Sequence, residues 1–268
     1  MSSDRPVAIV SGAARGIGAA TARRLAARGF TVALVDLPVD PERHHPVPGP
    51  YRHATGADLD RAAAACGGHG EAHSADVRIA AEIDRVVAGV VERHGRLDAV
   101  VAAAGAVAGG QPTWRTDDEV WRAMIDINLT GVFNLARAAV PALLDAPEPR
   151  AGRFVAIASA AAHHGLPQMA AYSAAKHGVA GLVRALAAEL GGTGVSANAV
   201  APGSTDTEML RASAAIYGLD SVAGFAEQAR IGRLIDPEEI AGTVEWLCVD
   251  APGSLTGAVI DVDGGFRA

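Results

Sequence analysis

The stretch VAIVSGAARGIGAA (Val7–Ala20) sets the terms for the rest of the chain. Four apolar residues and a serine read as a buried strand, three glycines follow, and the run from Ile17 to Arg28 has the apolar period of a helix that Gly29 stops. Gly12, Gly16 and Gly18 in G-x-x-x-G-x-G spacing let the backbone turn tightly between strand and helix. A turn of this kind brings main-chain amides and the partial positive charge of a helix N-terminus to one point, which suits a pyrophosphate. By itself such a turn is only a turn. Its setting after the first strand, with an acid, Asp36, about 20 residues further on at the end of the next strand, is that of a dinucleotide site.

Outward from this point, apolar runs with strand character alternate with helical segments. The strands expected are Val7–Ser11, Thr31–Asp36, Ala72–Asp76, Ala99–Ala103, Phe154–Ser159, Ser196–Val200 and Val259–Val262. A helix over Ile79–His94 has an apolar face of Ile79, Ile83, Val86, Val87, Val90 and Val91 and ends at Gly95. Capping-box spacing occurs at Thr55–Asp58, Thr116–Glu119 and Asp236–Glu239. Parallel strands need crossovers, so this alternation predicts an α/β fold. The expected form is a Rossmann-type doubly wound parallel sheet of about seven strands with helices on both faces. Neither a linker nor a repeat divides residues 1–268, so a single domain is expected.

Composition narrows the function. A formal charge of −7, with acids spread along the chain, argues against a nucleic-acid surface. The longest apolar stretch, Leu97–Gly109, falls short of the roughly 20 residues of a membrane span, and the N-terminus lacks a signal-like apolar core. A soluble cytoplasmic protein is expected. Cys66 and Cys248 stand in no metal or redox spacing, and no metal site is expected.

At the nucleotide end, Asp36 is placed to accept from the adenosine ribose hydroxyls and to repel a 2′-phosphate, which favours NAD over NADP. Arg15 is the one contrary sign, since it could reach a phosphate. Asp76-Val77 reads equally as an adenine contact or as a helix cap. At the other end, Tyr172 and Lys176 lie four apart on a helix, one turn from each other on one face. A nearby cation favours phenolate, so a tyrosine so placed can exchange a proton. Ser159 ends the preceding strand, and His163 and His164 follow it as solvent-facing or substrate-contacting groups.

Together these pieces resemble the short-chain dehydrogenase/reductase family over essentially the whole chain. The matching pieces are SGAARGIG (Ser11–Gly18), Asp36, Asp76-Val77, Asn128 in DINLTGVF, Ser159, YSAAK (Tyr172–Lys176), NAVAPGSTDT (Asn198–Thr207) and VDGG (Val262–Gly265). The resemblance implies Tyr172 as general acid/base and Ser159 as the partner that orients the substrate oxygen. It makes Lys176 the group that holds the nicotinamide ribose and lowers the tyrosine pKa, and Asn128 the one that positions a relay water. Pro202, Gly203, Thr205 and Thr207 would line the nicotinamide side, with Ile17, Leu37, Ala103 and Gly105 as further cofactor contacts. The family's Asn-Ala-Gly after the fourth strand reads Ala103-Ala104-Gly105 here, which puts the bracing of the central sheet in doubt.

One segment exceeds the family pattern. Leu37–Ala54, rich in proline, separates Asp36 from the helix that Thr55 caps, beside the adenosine half of the cofactor. It is either a surface loop or a cover over NAD, with Tyr51 to stack on adenine and Arg43 or Arg52 to add charge. Its length and position are similar to the mycofactocin-coupled subgroup of the family, which implies retained NAD and electron transfer to mycofactocin. Residues 205–231, with Met209, Leu210, Ile216, Tyr217, Leu219 and Phe225, are expected to bind substrate, an apolar and secondary alcohol; core packing accounts equally for those side chains. The family habit implies a homodimer or homotetramer. Two rivals share the pattern. Asp36 argues against an NADPH-dependent ketoacyl reductase, and the intact Ser159–Tyr172–Lys176 set argues against a dinucleotide-sensing regulator.

Overall fold

The computed structural model describes residues 5–37, 47–146 and 150–267. Its seven strands are β1 (Val7–Ser11), β2 (Thr31–Asp36), β3 (Gly70–Ser74), β4 (Ala99–Ala102), β5 (Arg153–Ile157), β6 (Ser196–Pro202) and β7 (Val259–Val262). All pair in parallel in the order β3-β2-β1-β4-β5-β6-β7. The chain builds outward from β1 to β3, then crosses back to β4. The switch between the two directions therefore falls where β1 and β4 end, and ligands of open α/β sheets bind at such a point.

The helices between them are α1 (Gly16–Ala27), α2 (Gly56–Ala64), α3 (Ala80–His94), α4 (Asp118–Ile125), α5 (Gly131–Leu144), α6 (Ala170–Glu189), α7 (Glu208–Ile216) and α8 (Pro237–Val249). Alternation along β1 shows how they cover the sheet. Val7 and Ile9 join one apolar layer with Leu135, Leu143 and Val183 of α5 and α6, while Ala8 and Val10 join the other with Leu25 and Ile240 of α1 and α8. Both faces are buried, which is why the central strands are apolar throughout rather than alternating. On the second face Arg24 and Arg28 of α1 meet Glu245 of α8 at 2.6 and 3.0 Å.

Several expected boundaries move, each for a local reason. β3 lies at Gly70–Ser74, two residues earlier than read, because the Asp76 carboxylate accepts from the Arg78 N–H (2.9 Å) and turns the chain toward α3. Ile79 belongs to no apolar face: it caps α3 and is 44% exposed. β5 stops at Ile157, since the Ser159 hydroxyl accepts from the Ala161 N–H (3.1 Å) and starts a short 3-10 turn. β6 runs on to Pro202 and β4 ends at Ala102. The Thr116–Glu119 capping box does not form; Asp117 occupies the cap position without a side-chain bond. The boxes at Thr55–Asp58 and Asp236–Glu239 do form.

From α4 to α5 the helix is continuous over Asp118–Leu144, with a π turn at Asp126–Thr130. Among the described residues it is the one helix whose length and hydropathy would suit a bilayer, although the apolar-stretch reading of the sequence did not find it. Here it packs inside the fold, with Met124, Leu135, Ala139 and Leu143 buried.

Candidate active site

A cavity of about 530 Å³ opens along the carboxyl ends of β1, β2, β4, β5 and β6. The residues expected to contact the cofactor line it, apart from the insert's arginines, of which Arg52 does not: Gly12, Arg15, Gly16, Ile17, Gly18, Asp36, Leu37, Asp76, Val77, Ala103, Gly105, Tyr172, Lys176, Pro202, Gly203, Thr205 and Thr207. Ser159 lines it as well.

The glycine turn fits a dinucleotide. Gly12 and Gly16 have φ of +66° and +54°, and a Cβ at Gly12 would lie 2.6 Å from the Ala103 carbonyl oxygen. A Cβ at Gly18 would lie 2.1 Å from the Gly12 carbonyl oxygen, so helix and turn touch only because neither carries a side chain there. The first turn of α1 holds no acid and its cap residue makes no side-chain bond, which leaves its N–H groups for an anion.

Asp36 is fixed by two main-chain donors, Ala14 N–H to Oδ2 (2.9 Å) and Leu37 N–H to Oδ1 (2.8 Å). Burial raises its pKa, and those two bonds together with Arg15 oppose the rise. Arg15 donates to the Arg52 carbonyl, so the residue read as a phosphate ligand also ties the glycine turn to the insert. Asp76 serves the turn into α3, the second of its two expected readings. Both its oxygens take the Arg78 guanidinium, at 2.9 Å from Nε and 2.6 Å from Nη2. The carboxylate is thus spent on Arg78 and on the turn into α3, and Arg78 itself lines the cavity. Nothing in the local sequence around Asp76 marks Arg78 beforehand.

Tyr172 and Lys176 come together on α6 as the four-residue spacing requires, at 6% and 3% exposure. Lys176 Nζ lies 5.7 Å from the Tyr172 ring centre and donates to the Ile157 carbonyl at 2.8 Å. Burial lowers the Lys176 pKa to about 8. The Tyr172 pKa is raised, chiefly by burial, while hydrogen bonding with Ser159 acts downward. The Met209 sulfur stands 3.8 Å from the phenol oxygen, a contact that follows from α7 folding over the cleft.

Asn128 is the one catalytic candidate that does not line the cavity. It is fully buried in the π turn. Its Oδ1 accepts from Ala106 N–H (3.2 Å), and its Nδ2 donates to the Ala106 and Met124 carbonyls at 3.0 Å each. The side chain braces the loop after β4. A second brace answers the Ala103 departure: the Ser11 hydroxyl accepts from the Ala103 and Ala104 N–H groups, both at 3.2 Å.

Of the insert, residues 38–46, including Arg43, lie outside the described residues. Tyr51 reaches further along the cleft than adenine stacking implies. Its hydroxyl donates to the Gly105 carbonyl at 3.3 Å, and its ring packs in the cluster that contains Ala106 and Tyr172. His53 meets Tyr51 edge-on, with 5.5 Å between ring centres, and accepts from Val47 N–H at 2.9 Å. Val47, Tyr51 and His53 all line the cavity. His163 and His164 do not: His163 faces Asp261 (3.1 Å) and His164 packs on Phe266.

A glycine turn at the switch point of a parallel sheet, joined through one cavity to a serine, a phenol and a buried amine, defines a nucleotide-dependent oxidoreductase. The chain belongs to the short-chain dehydrogenase/reductase family. The family model described as enoyl-(acyl carrier protein) reductase matches residues 12–267. An uncharacterized NAD-dependent oxidoreductase of Mycobacterium tuberculosis is 37% identical, covering 97% of this chain and 94% of that protein. Cis-4-hydroxycyclohexanecarboxylate dehydrogenase of Sinomonas cyclohexanicum is 38% identical, covering 98% and 96%. Carveol dehydrogenase from Mycobacterium avium, solved in complex with NAD, superimposes with a TM-score of 0.88 at 34% identity, covering 97% of this chain and 96% of the other.

Proposed function

We propose that the protein is an NAD-dependent dehydrogenase that interconverts a secondary, largely apolar alcohol and its ketone. The observation that carries this reading is the single cavity in which Asp36, the glycine turn, Ser159, Tyr172 and Lys176 all stand. NAD, when bound, supplies the hydride acceptor. The chain supplies the rest. Asp36, oriented by Ala14 and Leu37, is placed to hold the ribose hydroxyls and to disfavour a 2′-phosphate. Ser159 orients the substrate oxygen, and Tyr172 Oη, once deprotonated, takes its proton. Lys176, with a pKa near 8, can take up or release charge as that proton moves. Burial around the phenol keeps bulk water from competing for the same position.

The insert acts as a cover that retains the nucleotide. Support comes from its two ties across the cleft, Arg15 to the Arg52 carbonyl and Tyr51 to the Gly105 carbonyl. Retained NADH needs an acceptor that comes to it, and mycofactocin is the acceptor we propose, on the length and position of the insert. The relatives named for carveol and for a hydroxycyclohexane carboxylate favour a ring alcohol as substrate.

Tyr172→Phe tests the chemistry. NAD binding should persist while turnover falls by at least 10³-fold, within the range that general acid–base catalysis supplies; a variant that keeps its rate removes Tyr172 from the role. The ketoacyl reductase reading has its own support in a 38% identical 3-oxoacyl-[acyl-carrier-protein] reductase of Synechocystis. Comparing NADH with NADPH in steady-state kinetics separates the two, since Asp36 should make NADPH the poorer donor.

A further inference from the structure

Charge is divided unevenly along the cavity. Arg15, Asp36, Asp76 and Arg78 line its nucleotide half, and Lys176 sits behind Tyr172. Glu208 belongs to the same half, because the methyl of the preceding Thr207 lies 3.3 Å from the Cβ position at Gly16.

Beyond Tyr172 the walls are apolar, built from Leu166, Met169, Leu210, Tyr217, Phe225 and Phe266. Polar groups on this wall are mostly spent: the Tyr217 hydroxyl donates to the Pro167 carbonyl (2.9 Å) and the Ser213 hydroxyl to the Met209 carbonyl (3.0 Å). Two other side chains of the lining stand apart from this. Gln228 and Arg267 both line the cavity and are joined through their backbones, Arg267 N–H to the Gln228 carbonyl at 2.7 Å. Acids on the same C-terminal stretch have other partners. Asp261 faces His163 at 3.1 Å, and Asp263 accepts from Gly265 N–H at 2.8 Å. Among the described residues no carboxylate pairs with Arg267.

A cavity whose apolar walls also carry a phenol placed to transfer a proton, a guanidinium and an amide selects molecules with matching groups. We infer that the substrate is an alcohol whose apolar body also carries a carboxylate, with Arg267 and Gln228 as the groups that recognise it. This rests on the dehydrogenase reading above and adds the substrate class. Guanidinium recognition of a carboxylate is charge-assisted and often bidentate, and Gln228 can donate a further bond. Arg267 is exposed, so the contribution is modest, about tenfold in affinity, or about 1.4 kcal/mol.

The test uses the whole protein with NAD, 4-hydroxycyclohexanecarboxylate, (ω−1)-hydroxy acids of graded length, and the methyl ester of each. Binding is read by calorimetry and turnover by NADH absorbance, separately. At the length that spans the chamber, the acid should bind at least tenfold tighter than its ester. Arg267→Gln should abolish that difference and leave ester binding unchanged, and Arg267→Lys should restore part of it. Equal binding of acid and ester throughout, absence of binding by any acid, or a preference that survives Arg267→Gln would overturn the inference. Bound alcohols that never reduce NAD would count against the dehydrogenase reading and not against the carboxylate site.

Discussion

If the insert holds the nucleotide, Tyr51 is where that hold should be measurable. Its contribution has two parts. The hydroxyl bond to the Gly105 carbonyl is long at 3.3 Å, and a neutral bond at that length contributes at the low end of the usual range, about 0.5 kcal/mol. The ring contributes more. It packs against the cluster of Ala106, Met124 and Tyr172 and meets His53 edge-on, and removing an aromatic side chain from such a place costs about 3 kcal/mol or somewhat less where it is half-exposed. Tyr51→Phe should therefore speed NAD release about twofold, and Tyr51→Ala about 30- to 100-fold. The assay is stopped-flow displacement of bound NADH, followed by its fluorescence, with thermal unfolding run in parallel to confirm that each variant is folded. A folded Tyr51→Ala variant that releases NADH at the parent rate would refute the cover.

Other consequences follow from neighbouring residues. The His53 pKa is lowered from 6.5, mainly by burial and further by Arg15 and Arg78, and its ring accepts from Val47 N–H, which only the neutral form can do. The folded state therefore binds this proton less readily than the unfolded chain. Stability from this group is full above pH 6.5 and is lost as pH falls from there through the lowered value. NADH release should accelerate over the same range, and His53→Gln should remove that component; His73 shifts in the same direction, so the difference between parent and variant is the measure. Ser11→Ala strips the acceptor from two main-chain donors, at Ala103 and Ala104, and should lower unfolding free energy by about 2–4 kcal/mol in urea titration. A loss below about 0.5 kcal/mol would show that water replaces the hydroxyl.

The fold was legible because its signals are local. Val7–Ala20 contains a strand, a turn that only glycine fits and a helix start, and each segment after it carries its own period and stop. Tyr172 and Lys176 were legible for the same reason, since four residues on a helix determine a relative position. Contacts between distant segments carried no such mark. That Asp76 gives both oxygens to Arg78, that Asn128 turns inward to hold Ala106, and that Met209 lies over the phenol depend on how loops close around the cleft. Ser11 was read as the last residue of a strand; its second use as a brace depended on which strand became its neighbour.

The π turn between α4 and α5 has a consequence for how this chain can vary. One additional residue within a helix rotates everything after it by about 100°, and here that rotation separates two tasks. Before the turn, Met124 lies in the cluster that contains Tyr172; after it, Leu135, Ala139 and Leu143 lie against the sheet. A one-residue deletion anywhere in Asp126–Thr130 would straighten the rod, carry Asn128 away from the loop it holds, and swing the α5 core stripe off its layer. Substitutions can be absorbed one at a time in this segment, but its length cannot drift.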